Sequence, residues 1–160
     1  VREFYRAPMD TDVVQGAVLL FPTIPSLVQH AGVYFSVLRR EFDHIYRFAP
    51  GDMADLNEWR RCPVTGALMF IQHEILKSVG IFDERFKMGW EDVDYCLRVF
   101  AAGHECWVNP NVRAVHHEQA FRADPTPRRK RWDRMSLSYL FDKHAGEDFS
   151  QWVPTMIGLE

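Results

Sequence analysis

An α/β fold, with a mixed sheet flanked by helices, is the class this sequence predicts, and three observations predict it. Residues 13–21 and 63–71 are apolar runs of strand length bounded by Pro or Gly. Residues 91–102 carry apolar side chains at helical spacing (Val93, Leu97, Phe100, Ala101) and stop at Gly103, which suits a left-handed C-cap. After that stop, residues 105–108 and 112–116 read as strands again.

In chain order, residues 1–11 are an irregular lead-in broken by Pro8 and Asp10. The run 13–21 reads as one strand or two around Gly16, and Pro22 and Pro25 enforce a turn after it. Residues 27–35 read as a second strand, with Gly32 as a bulge or a close approach. Residues 39–55 are polar and mixed, and they read as a loop holding His44-Ile45-Tyr46-Arg47 and a Pro50-Gly51 turn. The run 63–71 is the most buried strand expected, and Gly66 inside it allows a ligand near the backbone. A short helix at 72–79 should turn Ile75, Leu76 and Val79 inward and end at Gly80. Residues 82–89 are a loop, and Asn109-Pro110-Asn111 is a turn between the last two strands. Composition shifts at Asp124, where Pro125 and Pro127 mark a boundary. The expected organisation is a main unit over 1–124 and a helical extension over 125–160, with one or two helices reaching about His144.

With 160 residues, 47% of them hydrophobic, and a net charge of −3, the chain suits one soluble domain with a real core and not a dedicated nucleic-acid protein. No apolar run is long enough to be a transmembrane helix. The start is polar and lacks Met, so a piece of a longer or processed protein is expected. Cys62, Cys96 and Cys106 show no CxxC spacing and read as reduced thiols, not a disulfide frame or a zinc site. A cytoplasmic location is expected, free or at the inner face of a membrane.

Glu91, Asp92 and Asp94 crowd the first turn of the helix at 91–102. Open N–H groups and the helix dipole favour ionised acids there, so the cluster serves either as a cap or as a base or metal-facing carboxylate. Asp94 and Arg98, four apart, also fit a surface ion pair. His116 and His117 end a strand on opposite faces, so only one of them can serve a given site. Arg128-Arg129-Lys130-Arg131 beside Trp132 is either a phosphate or nucleic-acid grip or a solvated helix face.

Five segments in order resemble the second half of the family-two glycosyltransferases of the GT-A fold. They are Val64-Thr65-Gly66-Ala67, the stretch from Val79-Gly80 through Phe82-Asp83-Glu84-Arg85-Phe86, Trp90-Glu91-Asp92-Val93-Asp94, Ala102-Gly103, and Val115-His116-His117-Glu118. Val28-Gln29-His30-Ala31-Gly32 and His44-Ile45-Tyr46-Arg47 match more loosely. The resemblance implies a partial GT-A fold lacking the amino-terminal nucleotide-binding half, since Asp10-Thr11-Asp12 sits too early to serve as the family's D-x-D motif. It implies the acceptor-side portion of a metal-dependent inverting transferase, for polysaccharide biosynthesis, using a nucleotide-diphosphate sugar and a hydroxyl acceptor. Asp92 matches the general base. Glu91 and Trp90 would line the acceptor side, Thr65 and Gly66 would lie near the donor sugar, and Arg122 would reach the phosphates. His116 matches a ligand to Mn²⁺ or Mg²⁺, in a site left incomplete here. A possible second copy or the missing half would complete the fold. The alternative is a non-catalytic carbohydrate- or protein-binding module that retains the fold.

Overall fold

In the computed structural model, which describes Phe4 and residues 12–117 and 126–152, the first apolar run becomes the central strand β1 (Val13–Leu20). It is buried from Val13 through Leu19, as expected of a strand covered on both faces. Along one edge it pairs in parallel with β7 (Glu105–Val115). Along the other edge it pairs antiparallel with β2 (Val28–His30) at one end and β6 (Met69–Ile71) at the other. The short β5 (Arg60–Arg61) joins the far side of β7, giving the order β2-β1-β7-β5 with β6 also on β1. A separate hairpin joins β3 (Val33–Ser36) to β4 (Glu41–His44). The parallel pair β1–β7 needs a crossover, and the helices α1 (His73–Val79) and α2 (Glu91–Ala101) lie within it.

Four expectations about strands and loops need correction. Only Met69–Ile71 of the run 63–71 is strand. A Cβ on Gly16 would fall 2.5 Å from the Val64 Cβ, so this segment presses on the face of β1 and cannot join the ladder there. Thr65 Oγ1 then accepts from the Ala67 N–H (3.4 Å) and starts a 3-10 turn, Gly66–Leu68. The run 27–35 splits at Gly32, whose φ of 114° sends β2 and β3 into different sheets. A side chain at Gly32 would also strike Cys62 Sγ at 2.4 Å. The region 39–55 is not all loop, because β4 and a 3-10 turn, Ala54–Asn57, lie in it. Asn109-Pro110-Asn111 is not a turn between strands but a bulge within β7, where the pairing jumps from Ala17↔Asn109 to Val18↔Arg113. The buried Asn109 stays satisfied there, since its Nδ2 donates to Gln15 Oε1 (2.9 Å) and its Oδ1 accepts from the Asn111 N–H (3.0 Å).

The helices keep their expected ends. α1 stops at Gly80 (φ 86°); Ile75 is buried in the core and Val79 packs against it, as expected, while Leu76 is exposed. α2 stops before Gly103 (φ 83°). Its Tyr95, Cys96 and Val99 join the sheet's apolar cluster with Val14, Val18 and Val108. Its Val93 and Leu97 pack instead with the hairpin's Val33 and Phe42 and with Leu140 of α3 (Pro127–Lys143). The boundary drawn at 124/125 lies outside the described residues. All three cysteines are buried and unpaired, and burial pushes the Cys62 thiol up to about 12, which leaves it inert.

Asp94 is no surface partner of Arg98. It has no exposed surface, and its carboxylate receives Arg98 (2.9 Å), Lys143 (2.6 Å) and His144 (2.9 Å), the last two from the end of α3. Burial pushes the Asp94 carboxyl up, but the bonds from His144, Lys143 and Arg98 outweigh it and hold the group below the usual range. Burial pushes the His144 ring down, but bonds to Asp94 and Glu147 raise it above the usual histidine range. The depressed Asp94 contributes stability above the ordinary Asp value of about 3.9, lost as pH falls through its native value. The raised His144 contributes stability fully present below about 6.5, lost as pH rises through its native value. The melting temperature should therefore decline on both sides of a mildly acidic maximum. In His144→Gln the alkaline decline from this pair should vanish, and thermal melts across pH will show whether it does.

Candidate functional site

The site grows from the two residues before α2. Gly89 (φ 67°) and Trp90 (φ 72°) are both left-handed, a conformation that costs a non-glycine residue about 1–3 kcal/mol. The Trp90 indole N–H donates to Asp133 Oδ1 of α3 (3.2 Å), and the Ser136 hydroxyl oxygen accepts from the N–H groups of Lys87 (3.1 Å) and Met88 (3.2 Å). These bonds hold the turn in place, and the helix starts at Glu91 without a side-chain cap at Trp90.

Asp92 is thereby fixed in two directions. Its Oδ1 accepts from the Val93 N–H (2.8 Å), and its Oδ2 accepts from the Gly66 N–H (2.9 Å). A Cβ on Gly66 would sit 3.5 Å from the Asp92 Cβ, so the close approach that Gly66 permits is to this side chain. A carboxylate has about four acceptor positions, and two are used, so the group retains capacity to accept a proton or a further donor. The capping and chemical readings of Asp92 are thus compatible.

Asp92 lines an open cleft of about 580 Å³, within the size of small-ligand sites. Thr65, Gly66, Trp90, Glu91 and His116 line the same cleft. Arg122 lies outside the described residues. His116 follows β7, and its Nδ1 lies 2.9 Å from Gln29 Oε1. With the amide oxygen as acceptor, Nδ1 carries the ring proton and Nε2 keeps the lone pair. His117 is exposed and is not part of the cleft wall.

Other residues also line the wall: Gln29, His30, His44 and Arg47 from the looser segments of the resemblance, Arg129 from the basic run, and Asp43 and Asp133, to which sequence reasoning gave no role. His30 and His44 are in contact, Nδ1 to Nδ1 at 2.9 Å, and the Thr65 N–H donates to His30 Nε2 (3.4 Å). A backbone N–H can only donate, so His30 Nδ1 holds the proton and passes it toward His44, whose own proton sits on Nε2. Burial pushes the His30 ring well below the usual histidine range, and the positive charge of Arg47, or of His44 or His116 when protonated, acts the same way. The sequence signals for this pair were the two looser segments of the resemblance, each of which holds one of the histidines. Among the described residues, no three His, Cys, Asp or Glu side chains are arranged to hold a metal ion. His116 by itself offers one imidazole nitrogen.

Long-range nitrogen–proton NMR should find His30 neutral, with its proton on Nδ1, as pH falls through about 6.5. A His30 ring that gains a second proton near that pH would contradict the arrangement.

No protein-family model matches the chain, and no solved structure matches it. Curated relatives do. The chain is 35% identical over 130 residues to an O-antigen biosynthesis protein, RfbC, of Myxococcus xanthus, a match covering 78% of this chain and 10% of that protein. It is 30% identical over 142 residues to an uncharacterized protein, y4gI, of Sinorhizobium fredii, covering 84% and 15%. It is 29% identical over 84 residues to an N-acetylglucosaminyl-diphospho-decaprenol L-rhamnosyltransferase of Mycobacterium tuberculosis, covering 52% and 27%. The chain thus spans about a quarter or less of the length of these relatives. Two of the three names point to a glycosyltransferase family and to polysaccharide biosynthesis. No helix among the described residues is long and apolar enough to cross a membrane.

Proposed function

We propose that this chain is the acceptor-side portion of an inverting, metal-dependent glycosyltransferase of family two, with a partial GT-A fold. The observation that carries the reading is Asp92: a carboxylate pinned at a helix start, on the wall of a ligand-sized cleft, with acceptor capacity to spare. The relatives' names support the reaction class.

In this reading the acceptor hydroxyl lies on the Trp90–Glu91 side and the donor sugar near Thr65 and Gly66. The hydroxyl oxygen attacks the anomeric carbon, its proton passes to an Asp92 oxygen, and the bond to the nucleoside diphosphate breaks with inversion. The Gly66 and Val93 N–H groups orient the carboxylate so that its remaining lone pairs serve as the base. A divalent ion, Mn²⁺ or Mg²⁺, when bound offsets charge on the departing diphosphate. His116 Nε2 would be its ligand from this chain, oriented by Gln29 from the far side of the ring.

The test is nucleoside-diphosphate release from a panel of nucleotide-diphosphate sugars, in an active protein that carries this chain. Asp92→Asn should lower turnover by roughly a hundredfold or more while nucleotide affinity stays near wild type. It should also cost about 1 kcal/mol of stability, because one of the two N–H groups that Asp92 satisfies loses its acceptor. His116→Ala should weaken both metal dependence and turnover, and His117→Ala should do little. Full turnover in Asp92→Asn would defeat the reading. A protein that binds sugar but releases no diphosphate would instead be a carbohydrate-binding module.

A further inference from the structure

Two exposed features lie beside the cleft, one basic and one aliphatic. The first is the outer face of α3. Five basic residues and one acid fall between Arg128 and Arg134, in a chain whose net charge is −3. Arg128, Lys130, Arg131 and Arg134 are exposed. The one acid, Asp133, is turned to the cleft, where it accepts from Trp90. No acid stands in the first turn, so these cations oppose the helix dipole at its positive end. For Arg128 and Lys130, in the first turn, that placement weakens the helix, and a nearby anion would offset it. Pro127, Arg128, Arg131, Trp132 and Met135 line a shallow groove on this face, with the Arg128 guanidinium 4.2 Å from the Trp132 ring and Met135 52% exposed.

The second feature is the tip of the β3–β4 hairpin. Leu38 is 93% exposed and Val37 62%, and the exposed Arg40 follows at φ 54°. The hairpin itself is anchored, since Phe35 and Phe42 pack against Phe141 and Phe149. Its tip is therefore a pair of bare aliphatic side chains on a fixed support. Glu41, the residue after the tip, lines the cleft, and so do Arg129 and Asp133 of α3.

We propose that this rim of the cleft docks on an anionic lipid surface. The arginines and lysine of α3 supply attraction to lipid phosphates, and Trp132 and Met135 settle at the headgroup level. Val37 and Leu38 enter the acyl boundary, with Arg40 at the phosphates behind them. A soluble polyanion would satisfy the basic face but would have no use for the bare leucine and valine, and that favours lipid over nucleic acid or acidic polysaccharide. Docking in this way would hold the mouth of the cleft at the bilayer surface. The surface goes beyond the transferase reading and does not depend on it.

The experiment is sedimentation of the 160-residue chain with vesicles, one set of pure phosphatidylcholine and one an equal mixture with phosphatidylglycerol. Binding is expected to the mixed vesicles only, and to weaken with salt. Arg128→Gln with Arg131→Gln should lower the partition coefficient on the order of tenfold or more, each basic residue near an anionic surface being worth about fivefold. Leu38→Ser should lower it several-fold while leaving the salt dependence unchanged. Circular dichroism on each variant guards against misfolding, and Lys77→Gln, on exposed α1, serves as a charge control that should bind as wild type. No binding to mixed vesicles would overturn the proposal. So would equal binding to both vesicle types, a Leu38→Ser variant that binds as wild type, or heparin bound more tightly than the vesicles. Because the readout is lipid binding, a failure of sugar transfer leaves this result untouched, and the reverse also holds.

Discussion

A carboxylate with no exposed surface ties this molecule together. Removing Asp94 from water costs several kcal/mol unless its charge is met inside the protein. Arg98 meets it from the same helix, one turn on, and Lys143 and His144 meet it from the end of α3. Lys143 also reaches Asp83 (2.8 Å), which bonds Arg85 and the Tyr139 hydroxyl. One charge cluster thus joins the loop before α2, the body of α2, and α3. Such a cluster specifies geometry more than it stabilises, because each partner has few other ways to be satisfied.

The cleft inherits that geometry. With α3 held at its far end by Asp94, its middle places Ser136 on the Lys87 and Met88 amides and Asp133 on the Trp90 indole. Those contacts support two successive left-handed residues, and the turn they make aims Asp92 at Gly66. Strain at Trp90 is maintained by the surrounding structure, a pattern common where a side chain must be presented to a ligand. The wall is built from segments far apart in sequence, among them β2, β4, the Thr65–Gly66 turn, the start of α2, His116 and α3.

What the sequence disclosed follows from which forces are local. β1, both early helices and the glycine stops at Gly80 and Gly103 were legible, because periodicity and caps are decided by neighbours in the chain. The run 63–71 misled because its apolar character is real but serves packing: Val64 lies across Gly16 and cannot pair. The bulge at 109–113 resembled a turn because Asn-Pro-Asn is turn chemistry, and what decides otherwise is distant in sequence: Asn109 pairs with Ala17 and its side chain donates to the buried Gln15. Asp92, Glu91, Thr65, Gly66, Trp90 and His116 were legible through the resemblance, and they do share one cleft. The His30–His44 pair was not, since the contact exists only once Gly32 has turned the chain back on itself. Asp94 read as a surface partner because an i,i+4 acid and base look the same whether wet or buried.

Native-state hydrogen exchange on Asp94→Asn tests most directly whether this cluster positions Asp92. Asn keeps the shape and removes the charge that holds Lys143 and His144. If the cluster positions the cleft, amides of α3 should lose protection together with those of Lys87, Met88 and Gly66, the last being bonded to Asp92. The common loss should be on the order of tenfold to a hundredfold, less than for a fully enclosed pair because Arg98 and Lys143 can turn toward water. If α3 loosens while the Gly66 amide keeps its wild-type protection, Asp92 is held by the start of α2 alone and the account is wrong.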